Sequence, residues 1–281
     1  MSTPRWWRRL RQTLRRWLGG NPDIPDGLWQ HVWQRHPFLH HLNASEQARL
    51  RELCRGFLAN KEFNGVHGVN ITDAMALTIA MQACVMLLHW GEDALTWYDD
   101  FVGIVVHPNE MWAPREVVDE AGVVHRYREA LLGEAMEGGP VTLAWSSVAS
   151  AANEAGRGHN LVIHEFAHKL DMRGKLHGQS PDGCPPLPRG FMGHTQAGSA
   201  RRQWRETLHE AHERHRQRVE MAERFGAELP WLDSYGAHSP SEFFAVSCEA
   251  YFVSRRRFEA EWPDVCALFD AFFRPGNSLS A

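Results

Sequence analysis

Apolar residues recur at every third or fourth position in three early stretches of the chain, which predicts amphipathic helices at about 25–35, 45–61 and 72–89. Each stretch opens with a Pro, Ser or Thr that suits the start of a helix, and we expect Ser45 to cap the second one. The third stretch is apolar on nearly every side, because Met, Ala, Leu, Ile and Val fill most of its positions. Such a helix is expected to be buried at the centre of the protein.

The pattern changes after about residue 94, where short apolar runs predict strands at about 101–106 and 140–145. A hairpin is expected at 116–127, with its turn at 120–122. Helical periodicity returns at about 160–172, 199–225, 239–254 and 263–273. The stretch between 174 and 198 is rich in Gly, Pro, Ser and His and is expected to form a long loop. Helices, a small sheet and further helices in this order indicate an α+β fold.

The composition of the 281 residues, 43% hydrophobic and 23% charged, is typical of a globular protein in water. The net charge of −4 gives no reason to expect direct nucleic-acid binding. The five cysteines are widely spaced and form no C-x-x-C pair, so we expect reduced thiols and a cytoplasmic location. No apolar run is long enough to predict a transmembrane segment.

The first 18 residues differ from the rest, because six arginines alternate with tryptophan and leucine and no acidic residue is present. A secretory signal is not expected, since the basic start is not followed by an uninterrupted apolar core. Two interpretations remain: a basic amphipathic helix that makes weak contact with an anionic membrane or protein surface, or a short helix whose tryptophans pack on the domain. We favour the second interpretation, because short terminal segments often do no more than this.

The chemistry of the chain is concentrated in the run His164-Glu165-Phe166-Ala167-His168, which has the form H-E-x-x-H in an apolar helical stretch. Residues four apart lie on the same face of a helix, so both imidazoles can bind one zinc ion. Glu165 is placed beside such an ion, where its carboxylate can accept a proton from an activated water. Two histidines and a glutamate are costly inside an apolar helix unless something pairs with them. The motif therefore predicts a zinc-dependent peptidase.

A catalytic zinc ion usually has a third protein ligand, and the helix at 239–254 contains two isolated acids that can supply it. Glu242 and Glu249 are seven residues apart and share one face, so one can bind zinc while the other orients a histidine ligand. Spacing alone does not decide between them. Asp171 is a rival, three residues after His168, but we expect it to support the ligands from behind because it would crowd the ion.

These residues resemble a known family. His-Glu-Phe-Ala-His-Lys-Leu-Asp at 164–171, followed by Ser-Pro-Ser-Glu-Phe-Phe-Ala-Val-Ser at 239–247, is similar to the Mlc titration factor A family of bacterial gluzincin-type zinc peptidases. The core is also similar to the protease domain of anthrax lethal factor. The resemblance implies a zincin-like core with a small mixed sheet, an active-site helix and surrounding helices. We expect residues 1–20 to form a leader and 21–281 one domain, with a helical part at about 25–95 and a catalytic core at about 96–275.

The resemblance also implies roles for individual residues. It makes His164, His168 and Glu242 the ligands of one zinc ion per chain and Glu165 the general base. Tyr235, seven residues before Glu242, corresponds to a tyrosine near the metal whose phenol can stabilise the oxyanion. Two further acids are expected to support the ligand set from behind, namely Asp171 and Glu249. The strand Val141, Thr142, Leu143 and Ala144 corresponds to the edge strand to which zinc peptidases bind an extended peptide substrate.

Three functions follow from this. The first is a zinc peptidase, aminopeptidase-like on short peptides, a detail that rests on the family alone. The second is a protein-binding regulator that sequesters a sugar-responsive transcriptional repressor, with peptidase activity secondary; the two roles can coexist. The third is a zinc hydrolase that acts on something other than peptides, which the edge strand makes less attractive. The histidines 209, 212 and 215, three residues apart in a charged helix, are interpreted as a solvated surface.

Overall fold

The computed structural model describes residues 23–118, 124–131, 133–154, 158–174 and 180–275. In these ranges the helices are α1 (Asp26–Trp33), α2 (Ala44–Asn60), α3 (Asp73–Val85), α4 (Trp145–Glu154), α5 (Leu161–Met172), α6 (Ala197–Phe225), α7 (Pro240–Val253), α8 (Arg255–Glu261) and α9 (Pro263–Phe273). Short 3-10 turns lie at Pro37–Leu39, Glu92–Tyr98, Phe191–Gly193 and Ser234–Ala237. The basic leader, the hairpin turn predicted at 120–122 and part of the loop predicted at 174–198 lie outside the described residues.

The strands are β1 (Glu62–Gly65), β2 (Gly103–His107), β3 (Met111–Val118), β4 (Val124–Leu131), β5 (Gly133–Ala135) and β6 (Val141–Ala144). Four of them form a mixed sheet in the order β1-β2-β6-β5, in which only the β5–β6 pair is antiparallel. Strands β3 and β4 pair separately as an antiparallel hairpin. The predicted α+β class is confirmed, and the small mixed sheet with helices around it agrees with a zincin-like core.

The position of β6 in the sheet corrects one prediction. Residues Val141, Thr142, Leu143 and Ala144 were expected at the edge of the sheet, but β6 pairs with β2 on one side and with β5 on the other. Its main-chain hydrogen-bonding groups are therefore used by the sheet on both sides, and they are not available to an added strand. At this end of the sheet, β5 is the outermost strand of the described residues.

Helix α3 is buried on every side, as its apolar sequence predicts, and each residue from Met75 to Val85 lies in the interior. Thr72 caps it by accepting a hydrogen bond from Met75 N. The cap of α2 is a different residue from the one expected. Asn43 accepts from Glu46 N, and the Glu46 carboxylate accepts from Asn43 N, a reciprocal arrangement that places Ser45 inside the first turn.

Helix α5 is anchored in the core by Phe166. Its ring lies 4.9 Å from that of Tyr98, 5.7 Å from Phe57 and 5.8 Å from Phe101, measured between centroids. Tilted and edge-on contacts of this kind add to the stability gained from burial alone. All five cysteines are buried and carry free thiols. Within the described ranges, no helix combines the length and the apolar character needed to cross a bilayer.

Candidate metal centre

Helix α5 begins at Asn160, whose side chain accepts a hydrogen bond from Ile163 N at 3.0 Å. An asparagine in this position satisfies one of the free amides of the first turn and fixes where the helix starts. The start fixes which residues share a face of the helix, and it places His164 and His168 one turn apart on the same side. Their side chains are only 11% and 12% exposed.

Helix α7 supplies the third group of the centre. Ser239 caps this helix by accepting from Glu242 N, and Pro240 occupies its first position, where a proline fits without loss of a hydrogen bond. Glu242 is therefore held in the first turn of α7, with its carboxylate directed at the two histidines of α5. One Glu242 oxygen lies 3.2 Å from Nε2 of His164 and 3.2 Å from Nε2 of His168.

The three ligand atoms form a compact triangle, because the two Nε2 atoms are also 3.2 Å from each other. In the described part of the chain this is the one group of three or more His, Cys, Asp or Glu side chains close enough to hold a metal ion. Two ligands of a tetrahedral ion that are each about 2.1 Å from it lie roughly 3.4 Å apart. The spacing of two nitrogens and one carboxylate oxygen therefore fits a divalent cation without a change of backbone.

The electrostatics of the group also suit a cation. Burial acts to raise the pKa of Glu242, but hydrogen bonding and charge interaction with His164 and His168 hold it well below its usual range. The carboxylate is therefore charged at neutral pH, as a metal ligand must be. The group combines one negative charge with two imidazoles, which is a donor set typical of catalytic zinc sites.

The ring of His164 is held from behind by Glu249. Nδ1 of His164 donates to Oε1 of Glu249 at 2.7 Å, and the other Glu249 oxygen accepts from Asn160 N. Because Nδ1 is engaged with Glu249, Nε2 is the nitrogen of His164 that faces the centre and that would bind a metal ion once it has lost its proton. Glu249 is 6% exposed, so this contact is shielded from water.

The ring of His168 is held in a similar way, through a serine that spacing arguments did not single out. Ser241 Oγ lies 3.3 Å from Nδ1 of His168 and donates to Asp171 at 2.6 Å. The same Asp171 oxygen accepts from Gly183 N at 2.9 Å. Asp171 is thus connected to His168 through Ser241. A serine next to a glutamate gives no pattern that would reveal this contact in the sequence.

Glu165 lies beside the triangle and is 4% exposed. Burial raises the pKa of its carboxyl group to about 7, although the neighbouring His164 and His168 act in the opposite direction. Gly133 of β5 packs directly on this side chain, and a Cβ built on Gly133 would lie 2.7 Å from Cδ of Glu165. Strand β5 therefore passes next to Glu165, which is part of the H-E-x-x-H motif but does not belong to the ligand triangle.

Comparison with known proteins gives this centre a context. Residues 5–274 match the family model described as glucose-regulated metallo-peptidase M90.

The chain belongs to the M90 family of metallopeptidases.

Relatives named Mlc titration factor A support the assignment to M90. The protein of Salmonella arizonae is 31% identical over 243 residues, which cover 86% of this chain and 88% of the relative. That of Klebsiella pneumoniae is 30% identical over 255 residues, covering 91% of this chain and 87% of the relative. That of Escherichia fergusonii is 30% identical over 237 residues, covering 84% and 82%. Membership of a metallopeptidase family implies a metal, and the triangle of α5 and α7 is the group that can bind it.

Tyr235, also singled out by the M90 resemblance, lies in the 3-10 turn Ser234–Ala237 before α7. Asp233 caps this turn by accepting from Tyr235 N at 2.9 Å. The phenol ring lies 6.0 Å from the His164 ring and 4.8 Å from that of His238, and it is 39% exposed. Tyr235 is thus at the open side of the centre and outside the ligand triangle.

The interpretation of histidines 209, 212 and 215 as a solvated surface is wrong for His215. His215 is buried, and its Nε2 donates to Asp233 O at 2.9 Å. His212 is half-buried, and its Nε2 lies 3.2 Å from Ala237 O. Helix α6 therefore supports the turn that carries Tyr235 from below. The sequence does contain a signal for this face, because His215 continues the buried stripe of Trp204, Leu208, Ala211 and Val219 at helical spacing.

Proposed function

We propose that the chain is a zinc-dependent peptidase, aminopeptidase-like on short peptides, with Glu165 as its general base. One observation carries the proposal: Nε2 of His164, Nε2 of His168 and a Glu242 oxygen converge at 3.2 Å from one another, with Glu165 beside them. Zinc is the metal of choice because it favours two imidazoles and a carboxylate in tetrahedral geometry. When bound, zinc acidifies water and polarises a carbonyl group.

Glu165 is placed to move the proton of the reaction. A general base works best when its pKa lies near the working pH, and burial raises that of Glu165 to about 7. Its carboxylate accepts the proton of the attacking water and returns it to the leaving amine. Because Glu165 is 4% exposed, bulk water competes little for that proton.

The substrate is proposed to bind along β5, which replaces Val141–Ala144 of β6 in this role. Among the described residues β5 is the outermost strand at this end of the sheet, which is the position where an extended peptide adds as a further strand. Such a peptide would cross the face of Glu165, since Gly133 contacts that residue. Because Gly133 has no side chain, the backbones of β5 and of a bound peptide can lie close to the carboxylate of Glu165.

Tyr235 is proposed to donate a hydrogen bond to the oxyanion that develops on the substrate carbonyl. Its position supports this, because the ring lies 6.0 Å from that of His164 and is 39% exposed. A donor aimed at developing charge typically accelerates acyl transfer by about a hundredfold or more. Asp233 and the α6 histidines hold the turn from which it acts.

The experiment that tests the proposal is metal analysis combined with an assay on aminoacyl and internally quenched peptides. The purified protein should contain one zinc per chain and lose activity with a chelator. Glu165→Gln should keep the metal and lose hydrolysis by at least about a hundredfold, since it removes only the base. His168→Ala should lose both. A metal-loaded Glu165→Gln protein that cleaves as fast as the parent would show that Glu165 is not the base.

A second function is favoured by the name of the relatives, Mlc titration factor A, which refers to the titration of Mlc. We propose that this chain can also sequester a transcriptional repressor in the cytoplasm, with peptidase activity independent of that role. Binding that is unaffected by Glu165→Gln or by metal removal would support a separate interaction surface. Loss of binding in both cases would instead show that the partner is recognised through the cleft.

A further inference from the structure

Gln82 is out of place in the helix that carries it. Helix α3 is otherwise almost entirely apolar, and Gln82 is completely buried in it, with 0% of its surface exposed. Its amide nevertheless makes a hydrogen bond at both ends. Nε2 donates to Thr78 O at 3.0 Å, and Oε1 accepts from Nδ2 of Asn160 at 2.7 Å. A buried amide is kept without penalty only where such partners exist.

Asn160 continues this chain of hydrogen bonds toward the metal centre. Its own Oδ1 accepts from Ile163 N, which fixes the start of α5, and its main-chain N–H donates to Glu249. The other oxygen of Glu249 accepts from Nδ1 of His164 at 2.7 Å. An unbroken buried path therefore runs from Gln82 through Asn160 and Glu249 to the imidazole of His164.

The orientations of the Gln82 and Asn160 amides are fixed from both ends, because Thr78 O can only accept a hydrogen bond and Ile163 N can only donate one. If the Asn160 amide were turned over, its oxygen would face the oxygen of Gln82 and its NH₂ would face Ile163 N, so both contacts would become repulsive. With Gln82 in place, only one orientation of Asn160 satisfies every donor. Asn160 is 1% exposed, so water cannot take over the lost partners.

We infer that Gln82 and Asn160 are positioning residues for the metal ligand His164, acting through Glu249. This inference rests on the proposed function of the α5–α7 centre. Residues behind a metal ligand commonly change metal affinity by about 10- to 100-fold, because they fix the orientation and basicity of the imidazole. Gln82 lies in α3, between β1 and β2 in the chain, so a helix well before α5 in the sequence is connected to the metal site through Asn160 and Glu249.

The test is the affinity of the full-length protein for Zn²⁺ alone, measured by competition with a chromogenic chelator. Gln82→Met keeps the length of the side chain and removes the acceptor for Asn160, and it is expected to weaken zinc binding about tenfold. Asn160→Ser keeps an oxygen that can cap α5 and removes the donor to Gln82, so the same loss is expected. The control is Ser247→Ala, which removes a buried α7 hydroxyl for which the described part of the chain offers no hydrogen-bond partner. Its zinc affinity should equal that of the parent.

The double variant separates positioning from general destabilisation. If the two residues act through one path, Gln82→Met should have little further effect in the Asn160→Ser background. Circular dichroism and thermal unfolding of each metal-free variant identify those that fold. Should Gln82→Met not fold, Asn160→Ser alone decides the matter, and parental affinity in that variant would overturn the inference. A parent that binds no zinc would instead disprove the proposed metal site, which is a different outcome.

Discussion

Gly133 of β5 lies against the carboxylate of Glu165 so closely that a Cβ on this glycine would be 2.7 Å from Cδ of the glutamate. Real Cβ atoms essentially never approach another atom to that distance. The absence of a side chain at position 133 is therefore what allows the outermost strand of the sheet to run directly beside the acid. Although Gly133 and Glu165 are distant in the sequence, this contact places the sheet directly against the proposed general base on α5.

Gly133→Ala is therefore expected to displace Glu165 and to lower peptidase activity by about a hundredfold, similar to loss of a general base. Zinc content should remain unchanged, because the methyl group faces Glu165 and not the ligand triangle. Gly103→Ala is the matched control on β2, since its Cβ would meet only Pro140 at 3.4 Å, an ordinary contact. Steady-state kinetics and metal analysis of both variants are the measurements. Full activity in Gly133→Ala would contradict the packing described.

Lys169 links α5 to the turn between β5 and β6. Its buried Nζ donates to Met136 O at 2.6 Å and to Gly139 O at 3.0 Å. Lys169→Met should remove the donor to Gly139 O and the ion-pair partner of Asp100, while Met136 O keeps its hydrogen bond from Gly139 N, and it should destabilise the protein by about 3 kcal/mol. Because that turn holds the proposed substrate strand, we also expect KM for peptides to rise. Urea unfolding and peptide kinetics provide the two readouts.

The matched control for Lys169 is Lys61. The ammonium groups of Lys169 and Lys61 lie over the ring of Phe101, at 4.5 Å and 4.0 Å from its centroid, and both donate to main-chain carbonyls. Lys61 donates to Tyr98 O and Phe101 O, and among the described residues it makes no hydrogen bond to the β5–β6 turn. Lys61→Met should therefore lower stability and leave KM unchanged. An equal rise in KM in both variants would mean that the effect is not specific to the turn.

Tyr235→Phe removes only the phenolic oxygen. If this group stabilises the oxyanion, kcat should fall by about a hundredfold while zinc affinity and stability remain close to those of the parent. Tyr251→Phe is the control, since its hydroxyl donates to Asp270 at 2.7 Å on the far side of α7. That variant should lose stability by about 1 kcal/mol and keep its kcat. A parental kcat in Tyr235→Phe would remove the tyrosine from the mechanism.

His215 should make the stability of the protein depend on pH in the acidic range. Burial lowers its pKa below the usual value, although the hydrogen bond with Asp233 O acts the other way. Below about pH 6.5 the unfolded chain therefore binds a proton that the folded chain does not, and stability is lost as the pH falls. We expect the free energy of unfolding to decrease less between about pH 7 and pH 5 in His215→Gln than in the parent. Urea titrations at both pH values measure this, and identical decreases would contradict the assignment.

The helices around the metal centre could be predicted because their local signals agree with the tertiary structure. Helix α5 begins after Asn160 and ends at Met172, as its cap and apolar pattern predict. Helix α9 has the predicted bounds Pro263–Phe273. Three of the residues named from the sequence, His164, His168 and Glu242, are brought together by the fold. Their roles remain predictions for the experiments above.

Other features depend on contacts that local sequence does not encode. Strands β1 and β5 contain four and three residues, include glycine and glutamate, and show no apolar alternation, so neither was predicted. Without β5, β6 was assigned to the edge of the sheet. Gln82 and Lys169 are equally hidden, because a polar residue in a helix is usually exposed. The burial of Gln82 and Lys169 results from packing between helices and strands that are distant in the sequence, so residue spacing along a single helix cannot predict it.

The all-round burial of α3 has a practical consequence for anyone who trims this protein. A fragment that starts near residue 96 would lack the helix that fills the space beneath α5, and the exposed apolar surface would favour aggregation. The part of the chain before residue 96 and the part after it are therefore expected to fold and function only when they are expressed together. A chimaera in which one part is replaced by that of a distant relative should not fold unless the residues that contact it in the other part are exchanged as well.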